Sequence, residues 1–333
     1  MSGQFVWYEL MTSDSSSALE FYPAVTGWGT DEFDKMQYTM WTAEKVPLGG
    51  VVQLTPEQLE RAMPSHWLPY ISVDDVNAAA DQATRLGGRV MFGPHDIPGT
   101  GRFAVLADPQ GASFAIYRSV DPSEGFDGTR RLGRFVWHEL LTTDLDGAFE
   151  FYRGMFGWNK TASFDMGPDV GLYQMFGRGT AQYGGMFKGG GRMEDLRPFW
   201  TCYVHVKDVK KAADLAQKRG GQVVSGPMEV PGGDVVAVVM DPQGAAFALH
   251  QNPIETAAKG GRTGGRKSGR KSGRKSGRNG GRKGGRKGGR KGGRKGGRKG
   301  GRKGGPRSAR KSAKKGARKG AKKSARKRAR SNR

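Results

Sequence analysis

Cysteine is almost missing: Cys202 stands alone in 333 residues. That excludes an intrachain disulfide framework and a cysteine-based zinc site, and it fits a reducing compartment. Long apolar runs are missing too. The longest, Val235 to Met240, falls far short of the roughly 20 residues that cross a bilayer. Residues 1–11 carry neither the basic segment nor the long apolar stretch of a secretion signal. A soluble cytoplasmic chain is expected. From Lys259 to Arg333 there is no acidic residue and no aromatic, and alanine is the sole apolar side chain. Such a segment has nothing with which to build a core and is expected to be disordered when alone.

What is there divides the chain in two. The formal net charge is +25, but 35 of the 56 Lys/Arg lie from Lys259 onward. The preceding 258 residues therefore hold 21 basic side chains against all 31 acidic ones, a net of −10. An acidic body with a polycationic arm points to an anionic partner for the arm alone.

The body is a duplication. Phe5-Val6-Trp7-Tyr8-Glu9-Leu10 returns as Phe135-Val136-Trp137-His138-Glu139-Leu140. Thr12-Ser13-Asp14, Phe21-Tyr22 and Gly27-Trp28 return as Thr142-Thr143-Asp144, Phe151-Tyr152 and Gly157-Trp158. Gly49-Gly50, Gly87-Gly88, Gly93-Pro94 and Asp108-Pro109-Gln110-Gly111 are answered by Gly184-Gly185, Gly220-Gly221, Gly226-Pro227 and Asp241-Pro242-Gln243-Gly244. Two homologous domains are expected, 1–118 and 134–252, with a linker over 119–133 and a tail over 253–333.

Within each copy the periodicities predict strand, helix and short strands, twice over. Phe5 to Met11 reads as a strand. Asp14 serves as N-cap of a helix that aligns Ala18, Phe21, Tyr22 and Val25, and Gly27 ends it. Strands follow near Gln37–Trp41 and Leu48–Leu54. The second unit has a strand over Trp67–Val73, a helix over Asp75–Leu86, and strands near Arg89–Phe92, Arg102–Ala107 and Ala112–Arg118. Asp-Pro-Gln-Gly reads as a hairpin turn, Pro setting φ and Gly taking the positive φ. The fold class is α+β, a strand–helix–three-strand (βαβββ) unit used four times.

This ordered series resembles the vicinal oxygen chelate superfamily of glyoxalases, extradiol dioxygenases and fosfomycin- and bleomycin-resistance proteins. The resemblance covers residues 4–251 and none of the tail. It implies a sheet folded around a cleft that holds a divalent metal or a small ligand. It also implies metal-ligand positions, which here fall on Trp7 and Trp137, on the strands 48–54 and 182–188, near Leu68 and Thr201, and near Ala115 and Ala248. None of these offers an imidazole or carboxylate donor. No cofactor is therefore expected. The alternative is a divalent metal on a rebuilt set of Glu139, His205 and His250. At about 3.3 Å per residue, that set would sit roughly 7 and 13 Å from the family's metal point.

Glu9 and Glu139 are the candidate catalytic residues, and Trp7, Glu9, Trp137 and Glu139 the candidate ligand cleft. A carboxylate in a strand of aromatic and aliphatic residues is costly to bury unpaired. Two readings stay open: a structural hydrogen bond between the two halves, or a polar anchor or general base in an aromatic cleft, with Tyr8 and His138 as neighbours. His66 and His95 read as loop or strand-edge residues.

The tail repeats Gly-Arg-Lys-Ser and Gly-Arg-Lys-Gly, then passes after Pro306 to a Lys/Arg/Ala register. It resembles the basic tails of linker histones and histone-like nucleoid proteins. Arg266, Lys267, Arg270, Lys271, Arg282, Lys283, Arg310, Lys311, Lys314 and Lys315 are the candidate phosphate contacts to DNA or RNA, without sequence specificity. No apolar anchor or lipidation signal accompanies them, so a membrane is not the expected partner. The functional expectation is a metal-free small-molecule binder held on nucleic acid and associated with the nucleoid. Its competitors are a metal-dependent lyase, isomerase or dioxygenase, and a body that serves as a structural handle for the tail. Oligomeric state is left open.

Overall fold

The computed structural model describes residues 2–33, 38–121, 131–167, 170–193 and 195–253. The tail candidates from Arg266 to Lys315, and Gln37 at the expected start of a strand, lie outside the described residues.

The first domain opens with β1 (Phe5–Thr12), α1 (Ser15–Thr26), β2 (Gly29–Phe33), β3 (Tyr38–Ala43) and β4 (Val46–Gln53). The one-turn helix α2 (Pro56–Glu60) leads to β5 (His66–Ser72), α3 (Val76–Arg85), β6 (Arg89–Ile97), β7 (Gly101–Ala107) and β8 (Ser113–Ser119). The second repeats the plan with β9 (Phe135–Thr142), α4 (Leu145–Phe156), β10 (Asn159–Asp165), β11 (Leu172–Arg178) and β12 (Ala181–Lys188). It closes with β13 (Phe199–His205), α5 (Val209–Lys218), β14 (Gln222–Glu229), β15 (Val235–Met240) and β16 (Ala246–Gln251). Each domain is one eight-stranded mixed sheet, ordered β2-β3-β4-β1-β5-β8-β7-β6 and β10-β11-β12-β9-β13-β16-β15-β14. Two βαβββ units thus meet where β1 runs antiparallel to β5, and β9 to β13. The tandem α+β architecture is as expected.

Local chemistry sets the helices. Asp14 accepts the Ser17 N–H and Gly27 closes α1 at φ 79°, while Asp144 and Gly157 do the same for α4. Ala18, Phe21, Tyr22 and Val25 are buried, so the aromatic stripes are helix faces packed on a sheet. The βαβββ unit calls for a third strand after each of these helices, but the positions of β2 and β10 were not foreseen. They are exposed edge strands of polar sequence, so no burial alternation marks them. The helix α2 was not foreseen either, although Thr55 and Gln58 form a reciprocal capping box at its start.

The two domains share one apolar core, and the repeated motifs join them. The Tyr22 hydroxyl accepts from Trp67 Nε1 at 2.9 Å and donates to Asp241 Oδ2 at 2.9 Å. Tyr152 repeats this, accepting from Trp200 Nε1 at 3.0 Å and donating to Asp108 Oδ2 at 3.1 Å. The other carboxylate oxygen of Asp108 takes the N–H groups of Gln110, Gly111 and Ala112. The Asp-Pro-Gln-Gly turn is therefore also a clamp that receives the Phe-Tyr motif of the other copy. Burial outweighs these donors and raises both aspartate pKa values above the ordinary carboxylate range.

Tyr8 and His138 occupy the same position in the two copies, and they meet. Side chains alternate across a strand, so they lie on the face opposite Glu9 and Glu139. This corrects the expectation that they flank the glutamates. His138 Nδ1 lies 2.9 Å from the Tyr183 carbonyl, which only accepts, so that nitrogen carries the hydrogen. Nε2 then accepts from the Tyr8 hydroxyl at 2.6 Å. Phe5 stacks on His138 with ring centroids 3.5 Å apart. Burial of this ring lowers the His138 pKa from 6.5 to about 3.

Candidate functional site

The cleft face of each sheet carries one hydrogen-bonded network, built twice. In the first domain Trp7 Nε1 donates to the Tyr38 hydroxyl at 3.0 Å, and Tyr38 donates to Glu9 Oε1 at 2.9 Å. Tyr70 donates to Glu9 Oε2 at 2.7 Å. In the second, Trp137 Nε1 donates to Tyr173 at 2.8 Å and Tyr173 to Glu139 Oε2 at 3.0 Å, while the Tyr203 hydroxyl completes the set. Both carboxylates have raised pKa values. Burial is the largest cause, and the tyrosine donors pull the other way.

Register explains the placement. Glu9 stands opposite Gly50 on β4 and Leu68 on β5; Glu139 stands opposite Gly185 and Thr201. A Cβ on Gly50 would lie 1.9 Å from the Tyr38 hydroxyl oxygen, and one on Gly185 2.0 Å from the Tyr173 ring. These glycines leave the space through which the tyrosines cross the strand to reach the glutamates. The second residue of each Gly-Gly pair thereby belongs to the site. Among the described residues neither glutamate bonds across the two domains. Each joins the first βαβββ unit of its own domain to the second, through Tyr70 or Tyr203.

The two copies then diverge. In the first, Tyr70 packs on Phe103 and Tyr117, with ring centroids 5.9 and 6.4 Å away. The strand pairing that places Phe103 beside Tyr117 places Val236 beside His250 in the second domain. There a cleft of about 240 Å³ opens, lined by Trp137, Glu139, Tyr173 and Tyr203 together with Phe164, Met166, Met175, Gln182, Val236, Asp234 and His250. Sequence reasoning named Trp137 and Glu139 but missed the four tyrosines and Asp234.

The rebuilt metal set is only partly brought together. Glu139 and His250 line the same cleft. His205 sits behind His250, with the two Nδ1 atoms 3.1 Å apart, and His250 Nε2 lies 3.2 Å from Asp234 Oδ2. Glu139 is engaged by its tyrosines instead. Among the described residues no group of three or more His, Cys, Asp or Glu side chains is disposed to hold a metal ion. At the positions the resemblance assigns to ligands, Trp7, Leu68 and Ala115 offer no donor, nor do Trp137 and Ala248, and Thr201 offers only a hydroxyl. The residues present do not fit the family's metal. His66 lies at the start of β5 with Nδ1 2.8 Å from the Pro64 carbonyl, and His95 lies on the edge strand β6. Cys202 is buried and free. No helix among the described residues is long and apolar enough to cross a membrane.

Paired βαβββ units around a cleft are the architecture of vicinal oxygen chelate proteins, and comparison with known proteins agrees. Residues 4–116 and 131–249 each match the glyoxalase/bleomycin resistance protein/dioxygenase superfamily, and the chain belongs to that family. It is 32% identical over 247 residues to "Putative glyoxylase CFP32" of Mycobacterium tuberculosis, covering 73% of this chain and 92% of that one. It is 28% identical over 260 residues to the anthracycline biosynthesis protein DnrV of Streptomyces peucetius, covering 74% and 92%. In fold it is similar to the Mn(II)-bound glyoxalase from Novosphingobium aromaticivorans, with a TM-score of 0.53 and 14% identity over 75% of this chain and 82% of that one.

Proposed function

We propose that this chain is a two-domain small-molecule-binding protein that works without the family's metal ion and is tethered to nucleic acid by its basic tail. The observation that carries the binding reading is the divergence of the copies. The same Trp–Tyr–Glu–Tyr network borders an open cleft in the second domain, where the first has two aromatic rings packed on its tyrosine. Glu139 is the polar anchor of that cleft and Trp137 part of its wall. The first-domain network around Trp7 and Glu9 is a structural counterpart. A metal-dependent lyase, isomerase or dioxygenase would need a donor set that these residues do not supply.

The tail reading rests on 35 cationic side chains without one acidic neighbour. Each phosphate contact releases condensed counterions, so affinity falls with salt at a log–log slope of about −0.9 per contact. Binding near the nucleoid follows without a preferred sequence. Two measurements test the whole. A metabolite screen by thermal shift, repeated on Glu139→Gln, should find a ligand whose affinity the substitution lowers while stability holds. Loss of stability with affinity unchanged would make Glu139 structural. Gel shifts over a salt series should show DNA binding by the full chain and none by a 1–258 truncation. Retained binding by the truncation would place that activity in the wrong segment.

A further inference from the structure

We propose that the solvent face of α5 is a second phosphate contact, made by the folded body with the nucleic acid that the tail holds. This rests on the tail reading, and it follows from a charge difference between two helices that are otherwise alike.

The copies align here without a gap, Val73-Asp74-Asp75-Val76 with Val206-Lys207-Asp208-Val209. Asp75 caps α3 and Asp208 caps α5. Both helices bury the same positions, Val76, Ala80 and Ala83 in one and Val209, Ala213 and Ala216 in the other. Their outer faces differ. Asp74, Asn77, Ala78 and Leu86 of the first copy are Lys207, Lys210, Lys211 and Arg219 in the second. Residues 74–86 hold three acidic side chains and one basic, a net of −2, whereas residues 207–219 hold five basic and two acidic, a net of +3. Core packing does not ask for the change, because Lys207, Lys210, Lys211, Lys218 and Arg219 are all exposed. Among the described residues only Lys211 of these five is ion-paired, with its Nζ 2.9 Å from Asp208 Oδ2, and an exposed pair of this kind holds its partner weakly. A basic face thus stands on a body whose residues before Lys259 carry a net charge of −10.

The place where the described chain ends selects the partner. Gln251, the last residue of β16, accepts the Val209 N–H at 2.9 Å, so the end of that strand lies against the start of α5. Lys207, Lys210 and Lys211 stand at the same end of the helix. The described residues stop at Pro253, and Lys259 follows six residues on, a reach of about 20 Å at most. A duplex gripped by the first basic residues of the tail is therefore kept at high effective concentration around α5. Three or four phosphate contacts hold little by themselves, but each adds to the counterions released once the tail has engaged. Phosphate repels the acidic remainder of the body, so the basic face also decides which side of the body is turned to the duplex.

The test titrates a labelled DNA duplex of scrambled sequence with the full chain over a salt series, read by fluorescence anisotropy. Lys207→Gln, Lys210→Gln and Lys211→Gln, combined in one full-length variant, should flatten the log–log salt slope by about two to three, at about 0.9 per contact. A control combines Arg61→Gln, Arg85→Gln and Arg89→Gln, three exposed cations of the first domain. It removes the same charge and should leave the slope within about 0.5 of the wild type. Equal flattening by both variants, or none by the first, would overturn the α5 assignment, while binding by the wild type keeps the tail reading. No binding by the wild-type chain would sink both. A second measurement needs no variant. Bound duplex should slow acetylation of Lys207, Lys210 and Lys211 by an amine-reactive ester, read by mass spectrometry on the wild-type chain, and should not slow that of Lys160 on β10. Unslowed acetylation at the three α5 lysines would overturn the proposal.

Discussion

Acid should loosen the joint between the domains at one ring. His138 is buried, stacked on Phe5 and committed as an acceptor to Tyr8. Its folded pKa is lowered from 6.5 to about 3. Between those values the unfolded chain binds a proton that the folded ring refuses, so stability rises with pH across the window. The contribution is complete above 6.5 and is lost as pH falls toward 3. Worked through the linkage relation, His138 alone costs roughly 2 kcal/mol between neutral pH and about pH 5. Replacing both partners, Tyr8→Phe with His138→Phe, keeps two stacked rings and removes the titrating group. Glu9, Glu139, Asp108 and Asp241 have raised pKa values and act in the opposite sense. They are common to both proteins and cancel in the difference. Urea denaturation at about pH 7 and about pH 5 gives the four free energies. The wild type should lose roughly 2 kcal/mol more than the double variant on acidification. An equal loss in both, within about 0.5 kcal/mol, would refute the assignment of His138 as a neutral buried acceptor.

The clamps should be measurable one at a time. Tyr152→Phe leaves the Trp200 N–H without its acceptor and takes one donor from Asp108, a loss of about 2–4 kcal/mol in urea denaturation; Tyr22→Phe should match it at Asp241, and a change below about 0.5 kcal/mol in either would show that the domains do not lean on these bonds. Gly185→Ala should push Tyr173 off Glu139. It is expected to cost about 1–3 kcal/mol of stability and to abolish ligand binding in the cleft, read by thermal melting with and without ligand. Unchanged binding would mean that the tyrosine does not set the site.

Much of the fold was legible because the chain states it twice. The cap at Asp14, the stop at Gly27 and the Asp-Pro-Gln-Gly turn are local devices, and repetition marked them as elements rather than accidents. The positions of β2 and β10 escaped, though the βαβββ unit required them, because exposed edge strands leave no apolar alternation. Glu9 and Glu139 were legible as carboxylates out of place among aromatics. Their tyrosine partners were not, because Tyr38 and Tyr173 reach them from another strand and across a glycine, and no spacing in the sequence encodes that crossing. One signal was available: Tyr70 and Tyr203 recur at the same place in the strand opposite the glutamates, as Gly50 and Gly185 do on the other side. The Asp234–His250 pair had no such echo, since it exists in one copy alone.

The meeting of Tyr8 with His138 says something about how the two halves came to share a chain. In a dimer of identical subunits the residue on the twofold axis faces itself, so a donor and its matched acceptor cannot both be specified there. A hydroxyl that gives and an imidazole nitrogen that receives require two different residues at one position. Two halves carried on one polypeptide are not bound by that symmetry and can differ at this position. The bond then acts as a key: first half recognises second half better than either recognises its own kind. Two such chains, or a chain broken at its linker, should accordingly reassemble as unlike pairs and not as like ones.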